Sequence, residues 1–327
     1  KIVAQFLMSS DFNEDLSPSP DIKSKFFTME EHGIKVHYWL KENPNADTIF
    51  VFQHGLLSGV NSFVHMFDML SSYGTVVGFD RPAFGLTDRP LRTHENWSSF
   101  IFPKIEDSLL PTNPGNNKSA KKTLLASTFE AIDSENEWIN PYSPEFGAII
   151  CNKLLEFLFG ENRENWGRVV MLGHSLGGIV ASQTVAQFPN IADVLILIDA
   201  SLFVTVPTGF FPSLLFSLIG KLIVRHIIPR STPGSIAFKN FDCLSEDQIY
   251  WYTRIFNEEN WDESLIEFGK FAFSNPIPST EILDQIGIPT LVITGDGDRV
   301  VPPKKSEKIF QHLDRKEFNV KYVVIPE

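Results

Sequence analysis

The sequence predicts an α/β fold: a mostly parallel, twisted sheet with crossover helices and a helical cap inserted after the strand at 194–199. Three observations carry this. Short apolar runs alternate with helix-length segments, the rhythm of parallel strands joined by helices. Gly173-His174-Ser175-Leu176-Gly177 joins one such run to a helix-like stretch, which makes a G-x-S-x-G turn between strand and helix. Finally, Ser201–Leu283 breaks the rhythm with many phenylalanines and pieces of helical pattern, as expected of a cap over one sheet edge.

The elements follow in order. Lys25–Glu30 and Ile34–Leu40 flank His32-Gly33 and read as a hairpin. Further strands are read at Thr48–Gln53, Thr75–Asp80, Arg168–Leu172, Val194–Asp199, Pro289–Thr294 and Val320–Ile325. Helices are expected over Asn61–Ser72, Pro144–Gly160, Leu176–Phe188 and Pro303–Leu313, with cap pieces at Pro212–Arg225 and Ser245–Asn257. Residues 91–141 are rich in Ser, Asn, Pro, Lys and Glu without a sustained period, and read as an exposed insertion. The resulting division is an N-terminal segment at 1–24, a core at 25–200 and 284–327, and a cap at 201–283.

Composition narrows the function. With 327 residues and 43% hydrophobic content, the chain can bury a large core. A formal charge of −12 and the lack of a Lys/Arg cluster argue against nucleic acid and anionic membranes. Two cysteines make no disulfide framework, and Cys151 in its apolar stretch reads as a small buried residue, so an intracellular, reducing setting is favoured. No run approaches the ~20 apolar residues of a membrane span. Ile2–Met8, behind an initial Lys1, reads as the tail of a targeting segment or as a short apolar patch. No metal spacing, phosphate loop or dinucleotide fingerprint is present, so no cofactor is implied, and a monomer is favoured.

Ser175 is the candidate nucleophile, because Gly173 and Gly177 allow a turn too tight for flanking side chains. A serine at its free pKa needs a base, an acid behind the base, and donors for the oxyanion. The donors are expected from the backbone N–H groups of Leu56, after the Phe52-Gln53-His54-Gly55 strand end, and of Leu176. The loop Gly295-Asp296-Gly297-Asp298 follows a strand and offers two carboxylates on the same sheet edge as Ser175. His54, Phe203, Phe211 and Leu215 are named as substrate contacts, and the apolar cap favours a hydrophobic small molecule.

Together, His54-Gly55, Phe79-Asp80-Arg81-Pro82-Ala83-Phe84-Gly85, the turn at Ser175 and Gly295-x-x-Asp298-Arg299-Val300-Val301-Pro302 resemble the α/β-hydrolase superfamily from Phe26 onward. The resemblance implies a serine hydrolase, esterase- or lipase-like, working through a Ser-His-Asp triad. It selects Asp298 over Asp296 as the acid, with Asp199 as the alternative that some relatives use. It also implies a histidine just after the last strand. Val320–Ile325 is followed only by Pro326-Glu327, so that histidine is expected beyond residue 327. His312 is expected on a surface helix, and His174 is expected to be structural. A fold relative that binds an apolar ligand without turnover, and a non-hydrolytic enzyme such as an acyltransferase, are the competing readings.

Overall fold

The computed structural model describes residues 21–91, 139–203, 220–222, 224–226, 246–316 and 318–326. Its centre is an eight-stranded sheet in the order β1-β2-β4-β3-β5-β6-β7-β8. β1 (Lys23–Met29) and β2 (Ile34–Lys41) form the expected hairpin, paired Met29↔Ile34 through Lys23↔Leu40. Its turn is closed by the His32 N–H on the Met29 carbonyl at 3.0 Å, and Gly33 takes φ +60°. β2 runs antiparallel to β4 (Thr75–Phe79), and every later pairing is parallel.

The remaining strands are β3 (Thr48–Gln53), β5 (Arg168–His174), β6 (Val194–Ile198), β7 (Thr290–Gly295) and β8 (Val320–Ile325). β5 sits between β3 and β6, and Val169–Gly173 are all buried. That continuous burial is what helices on both faces of a parallel strand produce. β8 lies at the edge of the sheet and leaves Val323, Val324 and Ile325 exposed.

Helix α2 (Pro144–Phe159) shows how the sequence fixes its ends. Ser143 accepts from the Phe146 N–H, Pro144 stands at the first turn, and Gly160 ends the helix at φ 88°. Phe146, Ile150, Cys151, Leu154 and Leu155 recur on one face and enter the main core. Burial pushes the Cys151 thiol up to about 12, so it is an inert core residue. α3 (Leu176–Gln187) is buried on all sides from Gly177 to Ala186. Its small residues let it pass against α2, β5 and β6.

The expected helix over Asn61–Ser72 is shorter and interrupted. A 3₁₀ turn, Val60–Phe63, precedes α1 (Val64–Leu70). There the Ser62 hydroxyl donates to the Gly59 carbonyl and the Val60 N–H donates to Asp80. These local bonds compete with a regular first turn.

After β6 the chain forms α4 (Glu246–Arg254), a 3₁₀ turn Ile255–Asn257, α5 (Trp261–Ser274) and α6 (Ser279–Asp284). α6 packs against α3 and α7 (Pro303–Asp314), while α4 and α5 meet β2 and the loop after β4. Trp251 meets Trp39 edge-on, and Phe268 meets Phe84. α7 then leads to β8. Residues 220–222 and 224–226 are helical, running to one residue past the expected Pro212–Arg225 piece. The remainder of that piece, residues 1–20 and residues 92–138 of the insertion lie outside the described residues.

Candidate active site

Ser175 sits between the last residue of β5 and the first of α3, at φ 52° and ψ −120°. An L-residue adopts this left-handed backbone only at a cost of order 1–3 kcal/mol, so the surroundings must hold it. They do so from three sides. The Ser175 N–H donates to the Ile198 carbonyl at 2.9 Å, and its own carbonyl accepts from the Gly178 and Ser201 N–H groups at 2.9 and 3.0 Å. The flanking glycines are steric requirements. A Cβ on Gly177 would lie 2.0 Å from the Gln53 carbonyl oxygen, and one on Gly173 would lie 2.5 Å from the Gly177 oxygen.

The loop after β3 runs beside this turn. A Cβ on Gly55 would lie 3.4 Å from the Ser175 Cβ and 3.2 Å from the His174 Nδ1. Leu56, the next residue, is half exposed, and Leu176 opens α3. A first-turn helix N–H has no intrahelical acceptor. Among the described residues neither the Leu56 nor the Leu176 N–H is given to another acceptor.

His54 requires a correction. Its ring is wholly buried, and both nitrogens are used inside the protein. The Arg81 backbone N–H donates to Nε2 at 3.1 Å, so Nδ1 carries the proton and donates to the Gly55 carbonyl at 2.8 Å. The Arg81 guanidinium donates to the His54 carbonyl at 2.7 Å and lies 5.2 Å from the Phe84 ring centroid. Burial, and then the Arg81 charge, hold the imidazole pKa down to about 3. A ring without surface touches no substrate.

In the loop after β7, Asp298 caps its own turn. Its Oδ1 accepts from the Val300 and Val301 N–H groups at 2.7 and 2.9 Å. Asp296 is exposed, and its N–H donates to Ile325 at the end of β8. Asp199 has φ 43° and accepts from the Thr294 hydroxyl at 2.7 Å and the Gly295 N–H at 3.3 Å. Burial, with Asp298 adding to it, raises the Asp199 pKa. Burial lowers that of His174 against the pull of Asp199 and Asp298. The two acids and His174 therefore share one electrostatic neighbourhood beside Ser175.

Among the described residues no histidine is hydrogen-bonded to Ser175. Its hydroxyl meets that of Ser201 at 3.2 Å. His312 lies on α7 and bonds Asp284 at 2.8 Å, well away from this edge. Phe203 is tied to α7, its carbonyl accepting from Lys305 and its ring 4.0 Å from the Lys308 ammonium. Phe211 and Leu215 lie outside the described residues.

Sequence reasoning missed two features. Ser201, at the junction of β6 and the inserted helices, is the hydroxyl neighbour of Ser175. The other is a hydrogen-bonded Ser-His-Asp chain away from Ser175. The Ser24 Oγ meets the His37 Nε2 at 2.8 Å, and the His37 Nδ1 meets the Asp80 Oδ2 at 2.7 Å. Asp80 also accepts from the Val60 and Leu86 N–H groups. Burial opposes its ionisation, but His37 and these bonds bring its pKa down to about 2. Ser24 lies within the regular ladder of β1, without a strained turn, and the chain ties the hairpin to the loop after β4. A small cleft with room for about 20 Å³ opens between Leu57–Asn61 and α4, walled by Trp39, Trp251 and Tyr252 but not by Ser175.

The family model described as alpha/beta hydrolase fold matches residues 48–221, and that described as Serine aminopeptidase, S33, matches residues 151–326. The sn-1-specific diacylglycerol lipase ABHD11 of Danio rerio is 26% identical over 185 residues, 56% of this chain and 56% of its own length. The chain thus spans little more than half of that relative. The uncharacterized hydrolase YugF of Bacillus subtilis (strain 168) is 22% identical over 292 residues, 88% of this chain and 85% of its own. A bromoperoxidase from Bacillus anthracis superposes with a TM-score of 0.59 at 15% identity, covering 93% of this chain and 91% of its own. A thermophilic esterase from Thermogutta terrifontis gives 0.56 at 16% identity, covering 93% and 90%. At these identities the two solved structures show the fold alone.

Proposed function

The chain belongs to the α/β-hydrolase superfamily, and from that membership we propose a serine hydrolase that cleaves an ester, or a related acyl bond, of a hydrophobic small molecule. The observation that carries this is the strained, triply anchored backbone of Ser175 beside two free N–H donors, those of Leu56 and Leu176. Such strain persists where the surroundings enforce it, and at a strand-to-helix elbow it turns the serine hydroxyl outward.

In this reading the Ser175 Oγ attacks the substrate carbonyl and forms the new C–O bond, while its proton passes to an imidazole. The carbonyl π electrons move to oxygen, and the negative charge is met by the Leu56 and Leu176 N–H groups. Collapse breaks the bond to the alcohol, which leaves with the proton from the imidazolium. Water then repeats the sequence on the acyl-enzyme and frees the acid. Asp298 orients the imidazole. The imidazole is placed beside the Asp298 turn, next to Ile325 at the end of β8, whose carbonyl accepts from the Asp296 N–H. Helices α4–α6 act as the cap. The diacylglycerol lipase among the relatives, whose name denotes an acyl ester of apolar character, supports the substrate class.

The test is covalent labelling of the full-length protein with a fluorophosphonate probe, alongside hydrolysis of p-nitrophenyl esters. Ser175→Ala should abolish both and leave the circular dichroism spectrum unchanged, since losing a triad member costs several orders of magnitude in kcat. Labelling of Ser24 in the Ser175→Ala variant, at the wild-type rate, would transfer the nucleophile to the Ser24-His37-Asp80 chain and refute the assignment. A wild type that neither labels nor hydrolyses would favour the binding-protein reading.

A further inference from the structure

Resting on the reading of Leu56 N–H as an oxyanion donor, we infer that His54 is a positioning residue for oxyanion stabilisation. Its Nδ1–H holds the carbonyl of the very peptide whose opposite side is the Leu56 N–H. A trans peptide is planar, and its C=O and N–H point in opposite directions. Fixing the Gly55 oxygen therefore fixes the direction of the Leu56 hydrogen.

The geometry forms a continuous line of donors. The Arg81 backbone N–H donates to Nε2 of His54, and Nδ1–H donates to the Gly55 carbonyl. Arg81 Nη2 adds a longer contact of 3.4 Å to the same oxygen and a 2.7 Å bond to the preceding carbonyl of His54. Aligned hydrogen bonds polarise one another, so a carbonyl that accepts strengthens the donor at the other end of its peptide. The arrangement works against local strain. Leu57, the residue after the donor, has φ 51°, a conformation a leucine leaves when nothing holds it. A Cβ on Gly55 would stand 3.2 Å from the His174 Nδ1 and 3.4 Å from the Ser175 Cβ, so the held peptide adjoins the nucleophile's turn. The imidazole is neutral and wholly buried, which suits a fixed dipole and excludes a role on the substrate itself.

Two substitutions separate the halves of this device. His54→Asn places an amide N–H near the position of Nδ1 and keeps the donor to Gly55, but it gives up the acceptor for Arg81. His54→Gln places an oxygen near the position of Nε2 and keeps that acceptor, but it gives up the donor. Each is assayed with a p-nitrophenyl ester and the matching thionoester, whose sulfur is a poor acceptor for an oxyanion site. Losing a full oxyanion donor costs roughly 100- to 1,000-fold in kcat, and a misdirected one should cost part of that. His54→Gln is expected to lower kcat for the oxygen ester about 10- to 100-fold with KM within about threefold, and to lower the oxygen/sulfur preference at least about tenfold. His54→Asn should keep that preference within about threefold of wild type.

A folded His54→Gln variant with wild-type kcat and preference would overturn the role. If His54→Gln does not fold, His54→Asn decides alone: retention of the preference supports the role and its collapse refutes it. Failure of the nucleophile reading looks different, because wild-type protein would then show no fluorophosphonate labelling at Ser175 before any His54 variant is made, and this role would fall with it.

Discussion

Proton uptake by His54 in the unfolded chain should make the protein lose stability as pH falls below about 6.5. The ring is fully buried, its Nε2 accepts from Arg81, and its pKa is held down to about 3 against an ordinary 6.5. Arg81, Asp80 and His174 are the charged or titratable groups that act on it. Because the folded value lies below the unfolded one, the unfolded chain takes up a proton that the folded protein refuses. The contribution is complete above pH 6.5 and is lost as pH falls from 6.5 towards 3. Linkage with these two values gives a loss of about 2 kcal/mol between pH 7 and pH 5. Urea unfolding of wild type and His54→Gln at pH 7, 6 and 5 isolates it, because every other titrating group is common to both. At pH 7 the wild type should lead by about 1–2 kcal/mol for the missing hydrogen bond to Gly55, and by pH 5 that lead should vanish. With an m-value of about 3 kcal/mol/M, the gap between midpoints changes by roughly 0.7 M. Parallel pH profiles, agreeing within about 0.5 kcal/mol, would show that His54 titrates normally in the folded state and refute the reasoning.

Two further outcomes follow from the packing of the site. Gly177→Ala drives a Cβ to 2.0 Å from the backbone oxygen of Gln53, where no flexible side chain can yield, whereas Gly295→Ala meets nothing within 4 Å. Thermal unfolding should show a loss of at least about 3 kcal/mol, or no folding, for the first and less than about 0.5 kcal/mol for the second; equal melting temperatures would contradict the contact. Asp298→Asn should lower kcat about 10,000-fold in the full-length enzyme by destabilising the required imidazole tautomer, while exposed Asp296→Asn changes it less than about threefold. Ester kinetics in which Asp296 is the sensitive position would place the acid one turn earlier in the loop.

Much of the scaffold was legible because its signals are local. The parallel strands appear as apolar runs, and their observed ends lie within about two residues of the reading. Ser143-Pro144 and Gly160 mark the two ends of α2 in the sequence itself. The turn at Ser175 was legible for the same reason, since two glycines at fixed offsets are a local steric demand. What was not legible depends on distance in the chain. The role of His54 rests on Arg81, 27 residues away, and an exposed polar contact and a buried structural one look alike in sequence. Ser201 reaches Ser175 only because β6 lies beside β5. The break before α1 arises from an Asp80 carboxylate that no helical pattern reveals.

The Ser24-His37-Asp80 chain has a consequence for how nucleophiles arise. Its distances are those of a working relay, and among the described residues it is the hydrogen-bonded Ser-His-Asp series. Ser175, by contrast, has a hydroxyl neighbour and no imidazole there. A search of side-chain geometry alone would select Ser24, whereas backbone geometry selects Ser175. Three polar groups in a row form readily wherever a strand pair and a buried carboxylate meet. A sharp turn that lifts one oxygen above the sheet, next to unclaimed amides, requires several glycines and two anchoring strands at once. In this fold the scarce ingredient is therefore the main chain. A catalyst would arise more readily by bringing an imidazole to Ser175 than by building an elbow beneath Ser24.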